Sequence, residues 1–206
     1  MTNNKVYILL DRSGSMNSMW EEAIGGINGY VKSLETSADI MVAVFDTLSY
    51  DVIRNTSKEE WTDLSSTEVT PRGGTPLLDA SARIMHNMID SGAKKAILII
   101  VTDGYENNST KFNKNEIMKL TKDINEKYDY EMVFLGANFD KVSEVANHNF
   151  GFNDIKGSAT RSYSASVKNF GATMTETATA SSGYFNNGKS ADFYSQETLN
   201  KLNEKK

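Results

Sequence analysis

Short apolar runs alternate with amphipathic stretches along this chain. Residues 5–10 form a compact apolar run closed by Asp11 and a turn-forming Ser13-Gly14, which predicts a buried strand. From Asn17 onward, Trp20, Ile24, Ile27, Val31 and Leu34 recur every three or four residues, the signature of one helical face. Gly25, Gly26 and Gly29 either weaken that helix or let it pack closely on a sheet. Residues 39–45 and 50–53 read as two strands joined by Asp46-Thr47-Leu48-Ser49, a connection short enough for a hairpin. Residues 57–68 are polar around Trp61 and Leu64, and predict a short helix that leads irregularly to Gly73-Gly74.

A second long helix is expected over 76–88, with Leu77, Leu78, Ala82, Met85 and Met88 as its stripe. Pro76 fits its first turn, Thr75 stands at the N-cap position, and Gly92 marks its end. Residues 95–101 are almost continuously apolar, as a central parallel strand should be. Residues 113–128 predict a third helix with a face of Ile117, Leu120 and Ile124; residues 130–136 predict a strand and 140–147 a short helix. Strands that alternate with helices argue for a doubly wound sheet, with the strand over 50–53 as an antiparallel edge. In such sheets ligands bind beyond the carboxyl ends of the strands, where the strand order reverses. Asp11 and Asp103 both lie just past a strand end, so they meet if their strands are neighbours at that point.

After Asn149 the composition shifts, and residues 157–183 are rich in Ser, Ala and Thr. That bias fits a linker, but Tyr163, Val167, Phe170, Met174 and Ala178 keep a helical spacing, which favours a helix packed on the sheet and ended by Gly183. One domain over 1–183 is therefore expected, followed by a polar tail over 184–206 that could form a short helix at 195–203.

The chain has 206 residues, with 39% hydrophobic and 24% charged positions, a balance that supports a packed globule rather than a disordered chain. A net charge of −5 argues against nucleic acid as a main partner. The absence of cysteine rules out disulfides and thiolate metal sites. The apolar runs are too short for a signal peptide or for the roughly 20 residues of a membrane span, so a cytoplasmic protein is expected.

Asp11-Arg12-Ser13-Gly14-Ser15 sets a carboxylate and two hydroxyls on alternate positions between a strand end and a helix start. Oxygen donors converging in this way suit a hard cation. A helix-capping turn would use the same residue types. Further along stand Gly73-Gly74-Thr75-Pro76-Leu77 and Thr102-Asp103-Gly104. The three segments together resemble the metal-ion-dependent adhesion site of von Willebrand factor A domains. Phe134-Leu135-Gly136-Ala137-Asn138-Phe139-Asp140 resembles the end of the fifth strand in stand-alone bacterial and bacteriophage members of that family.

The resemblance implies an α/β fold: a doubly wound, Rossmann-like, mostly parallel six-stranded sheet with one antiparallel edge strand and helices on both faces. It also implies that Ser13, Ser15 and Thr75 bind Mg2+ or Mn2+ directly, and that Asp11 and Asp103 hold the ion mainly through water. One coordination position is left for a Glu or Asp carboxylate of a protein partner. Arg12 and Met16, with Asn17, Tyr105 and Glu106, are read as a rim around the ion. Asp79 either orients a ligand or is a solvated helix residue, and neither His86 nor His148 is placed as a ligand or a base. The expected function is a metal-dependent protein-binding module without enzymatic activity. A structural or assembly component, such as a phage-encoded one with a fold-stabilising metal, is the alternative. A Mg2+-dependent hydrolase fits less well: Ser13 stands where a dehalogenase-like phosphatase needs its second acid, and no phosphate-binding glycine loop occurs.

Overall fold

The structure, a computed structural model, describes residues 4–128, 130–137, 142–155, 159–163, 167–188 and 193–194. Its centre is β1 (Asn4–Asp11), whose Val6–Leu10 run is apolar on both faces and wholly buried. β2 (Asp39–Phe45) and β4 (Lys95–Thr102) pair with it in parallel on either side. β3 (Tyr50–Ser57) closes one edge antiparallel to β2, as the short connection requires, and β5 (Glu131–Ala137) runs parallel to β4. A short strand β6 (Ala159–Tyr163) lies parallel to β5, so the order is β3-β2-β1-β4-β5-β6. The order reverses between β1 and β4, which makes those two strands the switch point.

The alternation of side chains along each strand divides the core in two. Val6, Ile8 and Leu10, with Ile97, Ile99 and Val101, face α1 (Trp20–Ser33) and α5 (Val167–Asn187). Tyr7, Leu9, Leu98 and Ile100 face the other way, toward α2 (Leu77–Asp90), α3 (Lys114–Lys127) and α4 (Val142–Phe150). Asn113 caps α3 through a reciprocal pairing with Glu116, in which each side chain accepts from the other residue's backbone N–H.

From Val167 on, the Ser/Ala/Thr-rich segment is a helix, with Phe170, Met174 and Ala178 fully buried. Four of its small hydroxyls turn inward, while Thr175 and Thr179 stay exposed. Thr173, Thr177, Ser181 and Ser182 each donate to the carbonyl four residues back, and the Tyr30 hydroxyl donates to Ser181 Oγ at 2.9 Å. Gly26 is the contact point of α1 with α5 rather than with the sheet. A Cβ there would come within 2.5 Å of the Phe170 ring, whereas Gly25 and Gly29 have nothing within 4 Å.

Several expectations need correction. No helix forms over 57–68: β3 runs on to Ser57 and turns follow. That segment is anchored by Asn28, whose side-chain amide donates to Leu64 O and accepts from Leu64 N. Tyr163 belongs to β6, not to the helical stripe, and α5 continues through Gly183 to Asn187. The tail therefore does not turn polar at 184: Tyr184, Phe185, Phe193 and Tyr194 are buried in the α1–α5 half of the core. The expected helix at 195–203 and residues 138–140 of the fifth-strand motif lie outside the described residues. Among the described residues, no helix is long and apolar enough to cross a membrane.

Candidate metal centre

Because β1 and β4 are neighbours in register, Leu10 pairs with Val101 and the chain ends of both strands open on the same rim. Asp11 is the last residue of β1 and is fully buried. Its Oδ1 accepts from the Ser13 N–H at 2.7 Å, which folds the following residues into a tight turn, and its Oδ2 accepts from the Thr102 hydroxyl at 2.6 Å. Ser13 Oγ and Ser15 Oγ stand 3.1 Å apart, and Ser15 Oγ donates to Asp103 Oδ1 at 2.7 Å. A 3-10 turn over Gly14–Met19 then leads into α1.

Thr75 arrives from the second of the three motif segments. Its backbone is clamped by Asn107, whose side chain accepts from Thr75 N at 2.9 Å and whose N–H donates to Thr75 O. Its hydroxyl and that of Ser15 both border Gly104, lying 3.7 and 3.9 Å from where a Cβ on that glycine would be. Gly14 N donates to Gly73 O, and Gly73 takes a positive φ of 68° against the Thr47 hydroxyl, a conformation suited to glycine. The structure thus gathers Asp11, Ser13, Ser15, Thr75 and Asp103 at one end of the sheet.

The donor set consists of oxygens only, two carboxylates and three hydroxyls, which fits a hard divalent cation such as Mg2+ or Mn2+. The electrostatics point the same way. Burial pushes the Asp11 carboxyl up to about 6 despite hydrogen bonds from Thr102 and Ser13, and Asp103 adds repulsion. Burial also raises Asp103, against the hydrogen bond from Ser15. The groups acting on Asp11 include no cation among the described residues.

Arg12, adjacent in sequence, turns away and is not on the rim. Its guanidinium is 4% exposed and pairs with Asp46 at 2.6 Å and Asp51 at 2.7 Å, with Ser49 Oγ alongside. Arg72 reaches the same Asp46 carboxylate from outside at 2.9 Å. Burial alone would raise Asp46, but Arg72, the backbone N–H groups of Leu48 and Ser49, and Arg12 together hold it below the usual carboxylate range. Met16 is likewise buried, in the α1 half of the core. Asn17 and Tyr105 are exposed. Glu106 accepts from the N–H groups of Leu78, Asn108 and Ser109, so its carboxylate braces the loop after Asp103 against the start of α2.

Asp79 has a role that neither expectation foresaw. It accepts from the N–H groups of Thr110, Lys111 and Phe112 and pins the loop that leads to α3. Thr75 is not the N-cap of α2; that position is Pro76, and Ser109 Oγ with Glu106 serves the first free N–H groups. Thr102 and Asn107 are the positioning residues that sequence reasoning missed. A hydroxyl on the last residue of an otherwise apolar strand was the one available signal for Thr102.

No protein-family model matches the chain, and no curated protein matches it. Solved structures do resemble it. A von Willebrand factor type A protein from Catenulispora acidiphila superposes with a TM-score of 0.69 at 15% identity, over 88% of this chain and 43% of that one. The vWF domain of the type V pili tip protein Mfa5 from Porphyromonas gingivalis gives 0.62 at 12% identity, over 91% and 96% of the two chains. The SpRpn10 VWA domain gives 0.58 at 10% identity, over 82% and 94%. The chain thus spans less than half of the Catenulispora protein and nearly the whole length of the other two domains. The fold of this chain is that of von Willebrand factor A domains.

Proposed function

We propose that the chain is a protein-interaction module that binds Mg2+ or Mn2+ and engages an acidic side chain of its partner. The observation that carries this reading is the pairing of buried Asp11 with Asp103 across the switch point, ringed by hydroxyls and answered by no cation among the described residues. Ser13, Ser15 and Thr75 would hold the ion directly; Asp11 and Asp103 would hold it mainly through water. When bound, the ion supplies an electrophilic centre for a Glu or Asp carboxylate. The chain's own contribution is positional. Thr102 and the Ser13 N–H fix Asp11, Asn107 fixes Thr75, and Ser15 spans to Asp103. The solved structures that share the fold include a pilus tip protein domain, in keeping with an interaction role.

Thermal melting with and without millimolar Mg2+ or Mn2+ tests the reading. Metal raises the melting temperature of the wild type, and Thr75→Ala or Asp11→Ala removes both the rise and partner capture. A melting curve indifferent to metal overturns it. The same reading makes the chain a non-enzyme, so generic phosphoester substrates remain intact in its presence with Mg2+.

A further inference from the structure

A second feature opens on the same end of the sheet, immediately beyond Thr75. The β2–β3 turn, the face of α2 from Asp79 to Asn87 and the loop around Lys111 line a groove of about 630 Å3. Its apolar surface comes from Leu48, Tyr50, Pro76 and Phe112. Leu48 is 73% exposed, the most exposed large hydrophobic side chain among the described residues.

That exposure does not reflect a loose turn. Asp46 Oδ1 accepts from both Leu48 N and Ser49 N, and Asp46 N donates to Ser49 O. The Asp46 carboxylate is in turn held by Arg12 and Arg72. Since Arg12 lies between Asp11 and Ser13, the Leu48 tip is tied through a buried ion pair to the segment that carries Asp11, Ser13 and Ser15, three of the five residues proposed to hold the metal. A leucine displayed on a braced turn is a preorganised contact.

Two acids, Asp46 and Asp79, and two cations, Arg83 and Lys111, line the groove, and they differ in what engages them. Its acids are occupied, Asp46 by two arginines and Asp79 by three backbone N–H groups. Its cations are not: among the described residues, neither Arg83 nor Lys111 lies within ion-pair distance of a carboxylate. The Arg83 guanidinium lies 4.3 Å over the Tyr50 ring, a contact that orients it without using its N–H donors. With both acids engaged, Arg83 and Lys111 are the charged groups left open to a carboxylate brought by a partner.

We infer that this groove is a second contact for the partner chain, and that it takes an acidic stretch carrying aliphatic side chains next to the residue that reaches the metal. Carboxylates of that stretch pair with Arg83 and Lys111, and an aliphatic side chain packs on Leu48 and Phe112. The inference rests on the proposed metal-bridged reading and adds the chemistry of the partner.

The test uses two fluorescein-labelled synthetic peptides on the whole chain, read by polarisation and by amide shifts of the isotope-labelled protein. Both carry one Glu. One continues with alternating Asp and Leu, the other with alternating Asn and Ser. In millimolar Mg2+ the Asp/Leu peptide binds about tenfold more tightly, the size expected of two partly exposed ion pairs and one covered leucine. Arg83→Gln combined with Lys111→Gln removes that advantage and leaves the Mg2+-induced melting shift unchanged; Leu48→Ser reduces it. Equal binding of the two peptides, absence of binding by both, or discrimination that survives the double substitution overturns the groove. If chelation leaves all peptide binding intact while the groove variants still abolish the preference, the groove stands and the metal bridge fails. If binding is Mg2+-dependent but shows no preference, the reverse holds.

Discussion

Asp11→Asn should make the metal-free protein more stable while abolishing its response to metal. In the wild type at neutral pH, Asp11 is a fully buried carboxylate with a second carboxylate nearby and no cation among the groups acting on it. Its carboxyl is raised from 3.8 to about 6, and about two units correspond to roughly 3 kcal/mol of native-state cost. The sign follows from linkage. The native state keeps its proton to a higher pH than the unfolded chain does, so metal-free stability is full below the usual carboxylate range. It declines as pH rises from about 4 to about 6 and stays reduced above that. Asparagine removes the charge and keeps much of the hydrogen bonding. Its Oδ1 still accepts from Ser13 N, and its Nδ2 donates to Thr102 Oγ1, whose proton turns to Gly104 O, 3.4 Å away. Allowing for the cost of burying an amide, the net gain is about 1–3 kcal/mol, or several degrees in melting temperature for a domain of this size. The assay is a set of circular-dichroism melts from pH 4 to 8, in chelator and in Mg2+. In chelator, Asp11→Asn melts above wild type at pH 7 and the two converge toward pH 4. In Mg2+, wild type gains about 3 kcal/mol at a hundredfold excess over Kd, and the variant gains nothing. A variant that is less stable than wild type in chelator at pH 7, or that keeps the metal response, refutes the electrostatic account of the site.

Other substitutions probe the supports. Thr102→Val keeps the strand shape but removes the donor to Asp11 Oδ2; it should weaken Mn2+ binding about 10- to 100-fold by calorimetric titration. Arg12→Met leaves Asp46 buried with one guanidinium fewer, and should cost about 3 kcal/mol in urea denaturation. Gly26→Ala drives a methyl against the Phe170 ring and should destabilise by about 1–3 kcal/mol. Gly25→Ala and Gly29→Ala meet nothing, and should each stabilise by up to about 1 kcal/mol in the same assay.

The order of strands and helices could be read in the chain because apolar runs and helical stripes are local signals. The hydroxyl-rich α5 was legible from Phe170, Met174 and Ala178, although its composition alone suggests a linker. Its true bounds were not, because Gly183 is tolerated within a helix that packs on α1, and Tyr163 obeys a sheet partner rather than helical spacing. The segment around Trp61 misled for a similar reason: Asn28, far away in sequence, supplies the backbone pairing that a helix would otherwise have supplied. At the candidate metal centre, Asp11, Ser13 and Ser15 stand out as oxygen donors on alternate positions of one turn, whereas Thr75 and Asp103, which alone read as an N-cap and an ordinary turn, are picked out by the resemblance to the adhesion-site motif. Arg12 looks solvated because it is a charged residue in such a turn; its partners Asp46 and Asp51 come from the β2–β3 turn and from β3. Asp79 reads as a ligand-orienting or solvated helix residue and Glu106 as part of the rim, yet both are spent on loop backbone, which only the tertiary approach of that loop reveals.

The place of β1 in the middle of the sheet has a consequence for how the molecule is born. During synthesis, β1, α1, β2 and the β3 edge emerge first and can associate, but the far side of β1 has no companion until β4 leaves the ribosome. Until then a strand with five consecutive apolar residues, Val6–Leu10, offers its open edge to any neighbouring chain, a template for misassembly. The same delay keeps Asp11 and Asp103 apart, so the proposed cation can be held only once β4 has docked on β1, and the half of the sheet built before that must form without it.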